Sequence, residues 1–441
     1  MKNKSTKRRQ FIKTTAAVSG AALLNPMSIH ASAYVKGEDH IDVALIGCGG
    51  RGTGAALQAL KAKSNVRIVA MADAFQDQID KCYGYINEHH EGSPDQIAVK
   101  DNNKYAGFEG YKEAIDQADV VILTTPPGFR PYHFEYAIEK GKHVFMEKPV
   151  AVDAPGIRKV LAAGEKAKQK KLNVVVGLQR HYQTNYLEAI KRINNGDIGK
   201  ILSGQVYWNS AGVWVRERKA SQTEMEYQMR NWYYFNWLCG DHILEQHIHN
   251  IDVANWFVGE YPSMAQGMGG REVRTGMDHG EIFDHHFVEF TYPSGAVISS
   301  QCRHQKGCMS RVSETFQGTK GSVSTEGNST KMMAHSGEMI LNHKGKGDAN
   351  PYQVEHDRLF ESIMDGGLIS DTENGAKSTM TAILGRMATY SGNVVKWDEA
   401  LASDLSIGIN PDQWDWKNNP PTLPDSEGRY AIPIPGVTKV L

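Results

Sequence analysis

The run Gly47-Cys48-Gly49-Gly50-Arg51-Gly52 has the form G-x-G-x-x-G, and Asp73 stands 26 positions beyond Gly47. In that pattern one glycine makes a tight turn, one lets the backbone approach a pyrophosphate, and one lets a helix pack close to a strand. The helix that follows offers free N–H groups and the positive end of its dipole to the same phosphates. An acid at Asp73 accepts hydrogen bonds from adenosine ribose hydroxyls and repels a 2′-phosphate, which favours NAD over NADP. Arg51 is the counter-signal, because a nearby cation can accommodate that phosphate. A second cluster is rich in imidazoles: His242, His247, His249, His279, His285, His286 and His304 are seven of the chain's 17 His. A zinc site from His247, His249 and one of Asp284, His285 or His286 is conceivable. His247 and His249 are two apart and do not share a helical face, so the expected metal is none.

The elements that position the glycine run are legible. Ile41–Ile46 (IDVALI) reads as a buried parallel strand, a helix with Ala55, Ala56, Leu57, Ala59 and Leu60 follows, and residues 66–72 form the next strand before Asp73. A strand at 119–124 ends in Thr125-Pro126-Pro127 at the carboxyl edge, where ligands sit in such sheets, so Thr124 and Pro126 are cofactor candidates. A helix over 133–140 stops at Gly141, residues 143–146 form a strand leading directly into Glu147-Lys148-Pro149, and 172–177 closes the sheet. Gln179-Arg180-His181-Tyr182 follows that last strand and is placed to reach the nicotinamide and the substrate.

The 441 residues suggest two or three domains, with 40% hydrophobic and 22% charged residues typical of a globular protein. Lys and Arg total 49 against 50 Asp and Glu, which argues against a nucleic-acid binder because no basic excess exists to neutralise phosphates. Five Cys lack zinc spacing and make no disulfide scaffold. Residues 1–33 read as a twin-arginine signal peptide: Arg8-Arg9 precede Phe11-Ile12-Lys13, an apolar stretch over 14–24 and Ala31-Ser32-Ala33. That apolar run is too short to span a bilayer, so no membrane association is expected after cleavage. All six Lys/Arg before residue 34 would leave with the signal, giving a mature chain of 408 residues and net charge −7. The expected location is periplasmic.

Together these residues resemble the glucose–fructose oxidoreductase / inositol dehydrogenase / rhizopine-catabolism (Gfo/Idh/MocA) oxidoreductases. The likeness rests on the glycine run, the 124–127 strand end, His133 and Gly141-Lys142-His143-Val144-Phe145-Met146-Glu147-Lys148-Pro149. It continues through Gly196-Asp197-Ile198-Gly199-Lys200-Ile201, His247-Ile248-His249-Asn250-Ile251-Asp252 and residues 394–401. The resemblance implies an α/β chain with an N-terminal Rossmann NAD-binding domain (34–178). A C-terminal α/β domain (179–400) with a large open, mostly antiparallel sheet would follow, then a tail (401–441). It also implies a homodimer or homotetramer, NAD as cofactor, and Gly47, Gly49, Gly50, Arg51, Gly52, Asp73, Thr124, Pro126, His133, Glu147, Lys148 and Gln179 around it.

In the family, the lysine of E-K-P and a helix-borne histidine meet at the substrate hydroxyls; here these are Lys148 and His249. Lys148 follows a buried strand, where desolvation lowers its pKa and lets it share a proton with the reacting oxygen. Glu245, at i−4 on a continuous helix, would set the tautomer of His249, where the family usually has an aspartate. Aromatic residues and arginines crowd positions 207–237, and aromatic faces stack on sugars. Arg230-Asn231-Trp232, with Arg180 and Tyr182, are the expected sugar contacts. The expected activity is NAD-dependent oxidation of a sugar or glycoside ring hydroxyl, with C3 favoured. Outside the cytoplasm no free NAD pool is expected, so the cofactor would be bound tightly and recycled on the enzyme. One alternative is a redox-neutral NAD-dependent glycosidase acting by oxidation, elimination and reduction; such relatives tend to depart from E-K-P, which is intact here. Another is a non-catalytic periplasmic sugar-binding protein.

Overall fold

The computed structural model describes residues 40–441, so the signal-peptide segment lies outside the described residues. Six parallel strands form the first sheet: β1 (Ile41–Ile46), β2 (Val66–Asp73), β3 (Lys104–Ala106), β4 (Val120–Leu123), β5 (His143–Met146) and β6 (Val174–Val176). Their order is β3-β2-β1-β4-β5-β6, the doubly wound arrangement in which the chain reverses direction across the sheet between β1 and β4. Val43, Leu45, Val121 and Ile122 are fully buried, because helices cover both faces of the sheet. The expected strands are present, with β3 as an unanticipated short edge strand. The helix expected at 133–140 is Arg130–Glu139, starting a turn earlier because Pro131 fits a first-turn position where no N–H is needed.

The second sheet has nine strands: β7 (Ile201–Ser210), β8 (Met264–Gly270), β9 (His285–Thr291), β10 (Val297–His304), β11 (Arg311–Gly318), β12 (Gly321–Glu326), β13 (Ser329–Ala334), β14 (Met339–His343) and β15 (Val395–Lys396). The order is β14-β13-β12-β11-β7-β10-β9-β8-β15. Every pairing is antiparallel except β7 with β10, so the sheet is open and mostly antiparallel. Along β9 and β10 buried residues alternate with partly exposed ones, the pattern of a sheet covered on one face.

Two later helices tie the sheets together. Thr372–Ser391 is buried along most of its length and lies against β8, β9 and the helix Ala154–Gln169. Pro351–Met364 packs on Gly50–Ala62, the helix that follows the glycine run. Among the described residues no helix is long and apolar enough to cross a membrane.

Candidate active site

The glycine run is built for close approach. Gly47 adopts φ +97°, and a Cβ there would lie 2.7 Å from the Thr124 carbonyl carbon. A Cβ on Gly52 would lie 2.0 Å from the Gly47 oxygen, so helix and strand meet only through glycine. A Cβ on Gly49 or Gly50 would meet nothing within 4 Å, which leaves this side of the turn open to a ligand. Gly49 caps the helix Gly50–Ala62 without a side-chain hydrogen bond, so the first-turn N–H groups are available to an anion. Thr124 Oγ1 lies 2.6 Å from the Gly47 oxygen and fixes the turn, while the Pro126 carbonyl accepts from Phe129 N at 3.1 Å.

Asp73 closes β2. Its Oδ2 accepts from Cys48 N at 2.7 Å and its Oδ1 from Phe75 N at 2.9 Å; burial raises its pKa. Arg51 is committed elsewhere. It pairs with Glu147, reaches Glu355 at 3.4 Å and Gln58 at 3.0 Å, and lies 5.2 Å from the Tyr352 ring centroid. With its guanidinium satisfied by two carboxylates, Arg51 does not serve a 2′-phosphate, and the residues present fit NAD.

β5 delivers Glu147-Lys148-Pro149 to the carboxyl edge of the sheet, with a cis Lys148–Pro149 peptide. Lys148 Nζ donates to the Glu245 carbonyl at 2.5 Å and lies 3.3 Å from Glu245 Oε1. Both side chains are nearly buried, at 10% and 12% exposure. Burial raises the Glu245 pKa and the Lys148 charge opposes it; Glu245 Oε2 is buried without a partner among the described residues. His249 has no hydrogen-bond partner among the described residues, and its Nδ1 is buried. Burial, with the charges of Lys148 and Arg180, pushes His249 well below the usual imidazole range, so it is neutral. Its ring lies 6.0 Å from Trp208.

The expected Glu245–His249 dyad is corrected. Glu245 ends the short helix His242–Glu245, whereas His249 sits in the first turn of Ile248–Val258, and the break at Gln246-His247 removes the i, i+4 relation. A buried ammonium needs a counter-charge, and Glu245 supplies it to Lys148.

Other candidates are held by partners of their own. His133 Nδ1 is 3.2 Å from Thr125 Oγ1, and its ring packs between Tyr111 and Trp414. Burial lowers its pKa to about 3, so it supports the strand end as a neutral group. Arg180 is paired with Glu314, which also accepts from Tyr186 OH at 3.0 Å and Asn250 Nδ2 at 2.5 Å. Tyr182 OH donates to Asp371 at 2.7 Å. Arg230 grips Asp77 at 2.9 and 3.2 Å beside the cofactor turn. Asn231 is fully buried, accepting from Arg216 N at 2.9 Å and donating to the Asp278 carbonyl at 2.8 Å. Trp232 packs edge-on to Trp214 at 5.9 Å. The polar side chains among the expected sugar contacts are thus already engaged by protein groups.

Gln179 and Arg180 do line a cavity of about 550 Å³ with Trp208, Arg311, Asn328 and Tyr352. The Gln179 Oε1 is buried without a partner among the described residues. Arg311, Asn328 and Tyr352 come from elements far along the chain and carried no local signal. The conceivable zinc set does not form either: His247 Nε2 is 2.7 Å from Ser300 Oγ, and His285 Nδ1 is 2.7 Å from Asp284 Oδ1. Instead Asp241, His242 and His286 converge.

An open phosphate cradle at the β1/β4 switch point, an acid closing β2 and a buried lysine beside a neutral histidine define a dinucleotide-dependent oxidoreductase with two α/β domains. Residues 41–178 match the NAD-binding Rossmann fold of an oxidoreductase family, and residues 190–374 match that family's C-terminal alpha/beta domain. The chain belongs to the Gfo/Idh/MocA oxidoreductase family, and NAD is its cofactor. An inositol 2-dehydrogenase of Rhizobium meliloti is 25% identical over 61% of this chain and 71% of its own length. One from Klebsiella pneumoniae is 31% identical over 42% of this chain, which spans about half (49%) of that relative. In fold, the chain is similar to an aldose-aldose oxidoreductase from Caulobacter crescentus complexed with glycerol (TM-score 0.64, 19% identity, 81% of this chain and 99% of that one). It is also similar to a levoglucosan dehydrogenase in complex with NADH and levoglucosan (TM-score 0.62, 18% identity, 81% and 99%).

Proposed function

We propose that this enzyme oxidises a ring hydroxyl of a sugar or glycoside, with C3 the favoured position, using NAD that stays bound and is reoxidised by a second carbonyl sugar. The carrying observation is the buried Lys148–Glu245 pair next to neutral His249, at the carboxyl edge of the NAD-binding sheet. Related dehydrogenases named for inositol and levoglucosan support a polyhydroxylated substrate. NAD, when bound, accepts the hydride from the carbinol carbon and returns it to the second substrate. His249 takes the hydroxyl proton, and the Lys148 ammonium holds the oxygen as negative charge develops on it. Glu245 orients Lys148 through its carbonyl and carboxylate oxygens. In the return half-reaction His249 gives the proton back, so the ketone of the second sugar becomes an alcohol and the atoms balance.

Retention of NAD is supported by the tail beyond residue 402. Asp153 accepts from Ile407 N at 3.0 Å, and Trp414 packs against Phe129 at 4.8 Å. Trp416 then packs on Phe108 and on Phe75, two residues past Asp73. Farther on, Gln228 holds the Thr422 carbonyl at 2.8 Å, so the tail straps the adenosine side of the first sheet to the second domain. Retention is consistent with periplasmic export through the twin-arginine route, which the Arg8-Arg9 segment supports because that route carries folded, cofactor-loaded proteins. A homodimer or homotetramer through the open sheet belongs to the same proposal.

The test is to purify the protein without added nucleotide, measure bound NAD by absorbance, and supply glycosides. Growth of the reduced-nicotinamide band, discharged by a keto-sugar, is expected. Free aglycone with no net reduction would indicate the redox-neutral glycosidase instead. Protein free of nucleotide would refute retention, and an inert holoprotein would favour a sugar-binding role.

A further inference from the structure

We propose, on the reading of Lys148 and His249 as the oxidising centre, that the cavity walled by Gln179, Trp208, Arg311, Glu326, Asn328 and Tyr352 is a subsite for an uncharged second sugar ring. The substrate is then a disaccharide or larger glycoside, not a lone monosaccharide. The cavity is separate from the chemistry but touches it. Lys148, Glu245 and His249 are absent from its walls, whereas Trp208 both lines it and lies 6.0 Å, ring to ring, from His249 with the planes 29° apart. A ring reacting at His249 thus has room for its covalent neighbour beside Trp208. The volume of about 550 Å³ is typical of sites that enclose drug-sized ligands.

Sheet topology assembles the walls. Trp208 of β7 is paired with Val312 of β11, Arg311 opens β11, Glu326 closes β12 opposite Ser313, and Asn328 lies in the turn to β13. Gln179 follows β6, and Tyr352 stands in the first turn of Pro351–Met364 with its ring 5.2 Å from the Arg51 guanidinium of the glycine turn. The polar atoms left open there match hydroxyls, which both donate and accept. Gln179 Oε1 is a buried acceptor without a partner among the described residues. Asn328 Oδ1 accepts from Gln183 Nε2 at 2.8 Å, which leaves the Asn328 amide N–H groups for a ligand. Arg311 gives its Nε–H to Ser313 Oγ at 2.8 Å and lies 3.9 Å from the Tyr207 ring centroid. Neither Arg311 nor Glu326 has an ion-pair partner among the described residues.

Charge decides the class of occupant. Arg180, also on the wall, is neutralised by Glu314, and the Arg311 charge is balanced by Glu326 on the same wall. No net positive charge is left to answer a phosphate or carboxylate, and the Glu326 carboxylate would oppose one. Aromatic walls with planar guanidinium, amide and carboxylate groups suit the apolar face and the hydroxyls of a neutral pyranose.

The experiment follows reduction of the bound NAD in the holoprotein by methyl glycosides of the common hexoses and by methyl disaccharides that end in the same hexoses. For the best pair, the disaccharide should exceed its own monosaccharide glycoside in kcat/KM by about tenfold or more. Arg311→Ala and Asn328→Ala should each remove about tenfold of that gain, with the loss falling on KM. A monosaccharide glycoside that reacts as well as every disaccharide overturns the subsite and leaves the oxidising centre in place. So does a disaccharide KM that neither variant changes. A second unit bearing a carboxylate that outperforms its neutral counterpart overturns the uncharged occupant. If no sugar reduces the bound NAD, the oxidation reading fails and calorimetry judges the subsite by itself. Disaccharide binding weakened by both variants then upholds it, and absence of binding overturns it.

Discussion

The guanidinium of Arg230 lies 3.8 Å from the centroid of the Phe75 ring, which also packs on Trp416 of the C-terminal tail. Phe75 donates its N–H to Asp73, so the second domain and the tail both press on the turn that carries this acid. Losing a cation–π contact and part of an ion pair at a half-exposed site costs about 1–2 kcal/mol. Arg230→Ala and Trp416→Ala should each speed NAD loss by roughly 5- to 30-fold, since about 1.4 kcal/mol is tenfold. Nucleotide retained per chain after prolonged dialysis measures this. Unchanged retention in both variants would remove the strap from the argument for a recycled cofactor.

The two domains' charges meet at Lys148 and Glu245. Lys148→Met should lower kcat by about 10²- to 10⁴-fold, and it should also destabilise the fold because Glu245 is left buried without its cation. Glu245→Gln in the same background should restore stability without restoring rate. Urea midpoints and single-turnover rates separate the two effects; recovery of rate in the double variant would show that Lys148 acts only as a structural ion.

His249→Ala should reduce kcat/KM by about 10²- to 10⁴-fold while leaving bound NAD intact. Its imidazole is held below the usual range, so the wild-type rate should be flat from neutral pH down through the ordinary histidine pKa. A fall in rate centred on that ordinary value would mean that His249 is not the proton acceptor.

Glycines three positions apart should fail differently. Gly52→Ala drives a Cβ to 2.0 Å from the Gly47 oxygen, so it should lower thermal stability as well as NAD content. Gly49→Ala meets no protein atom within 4 Å and should fold normally while binding NAD weakly, because the methyl occupies the approach to the phosphates. Thermal melting and nucleotide titration on the two variants check this contrast.

Acid should destabilise the fold through histidines remote from the chemistry. Burial lowers His133 to about 3 and His143 to about 4, both below the value in the unfolded chain. Their contribution is fully present above the unfolded pKa and is lost as pH falls, since only the unfolded chain binds the protons. Each should cost about 1.4 kcal/mol per pH unit between roughly 6.5 and 4. The urea midpoint followed from pH 7 to 5 should drop accordingly, and His133→Gln should shallow the slope by one proton.

The cofactor half of the site was legible because its parts are local. Gly47, Gly52 and Asp73 lie within one strand–helix–strand unit, and glycine spacing dictates what backbone can do there. Lys148 was legible because it leaves a buried strand at a sheet's carboxyl edge. The substrate half was not. Arg180, Tyr182, Arg230 and Asn231 have side chains suited to sugars, but Glu314, Asp371, Asp77 and Asp278 claim them from distant segments.

What the sequence determined by itself is the dinucleotide turn, the sheet that holds it and the buried lysine, since these follow from neighbours in the chain. Tertiary structure alone decided that Glu245 answers Lys148 across 97 residues rather than His249 across four. It likewise brought His286, from a strand more than forty residues away, beside Asp241 and His242 in the interior. A buried charge or lone pair takes the partner that packing brings within reach, and spacing along the chain does not encode that partner once a helix breaks.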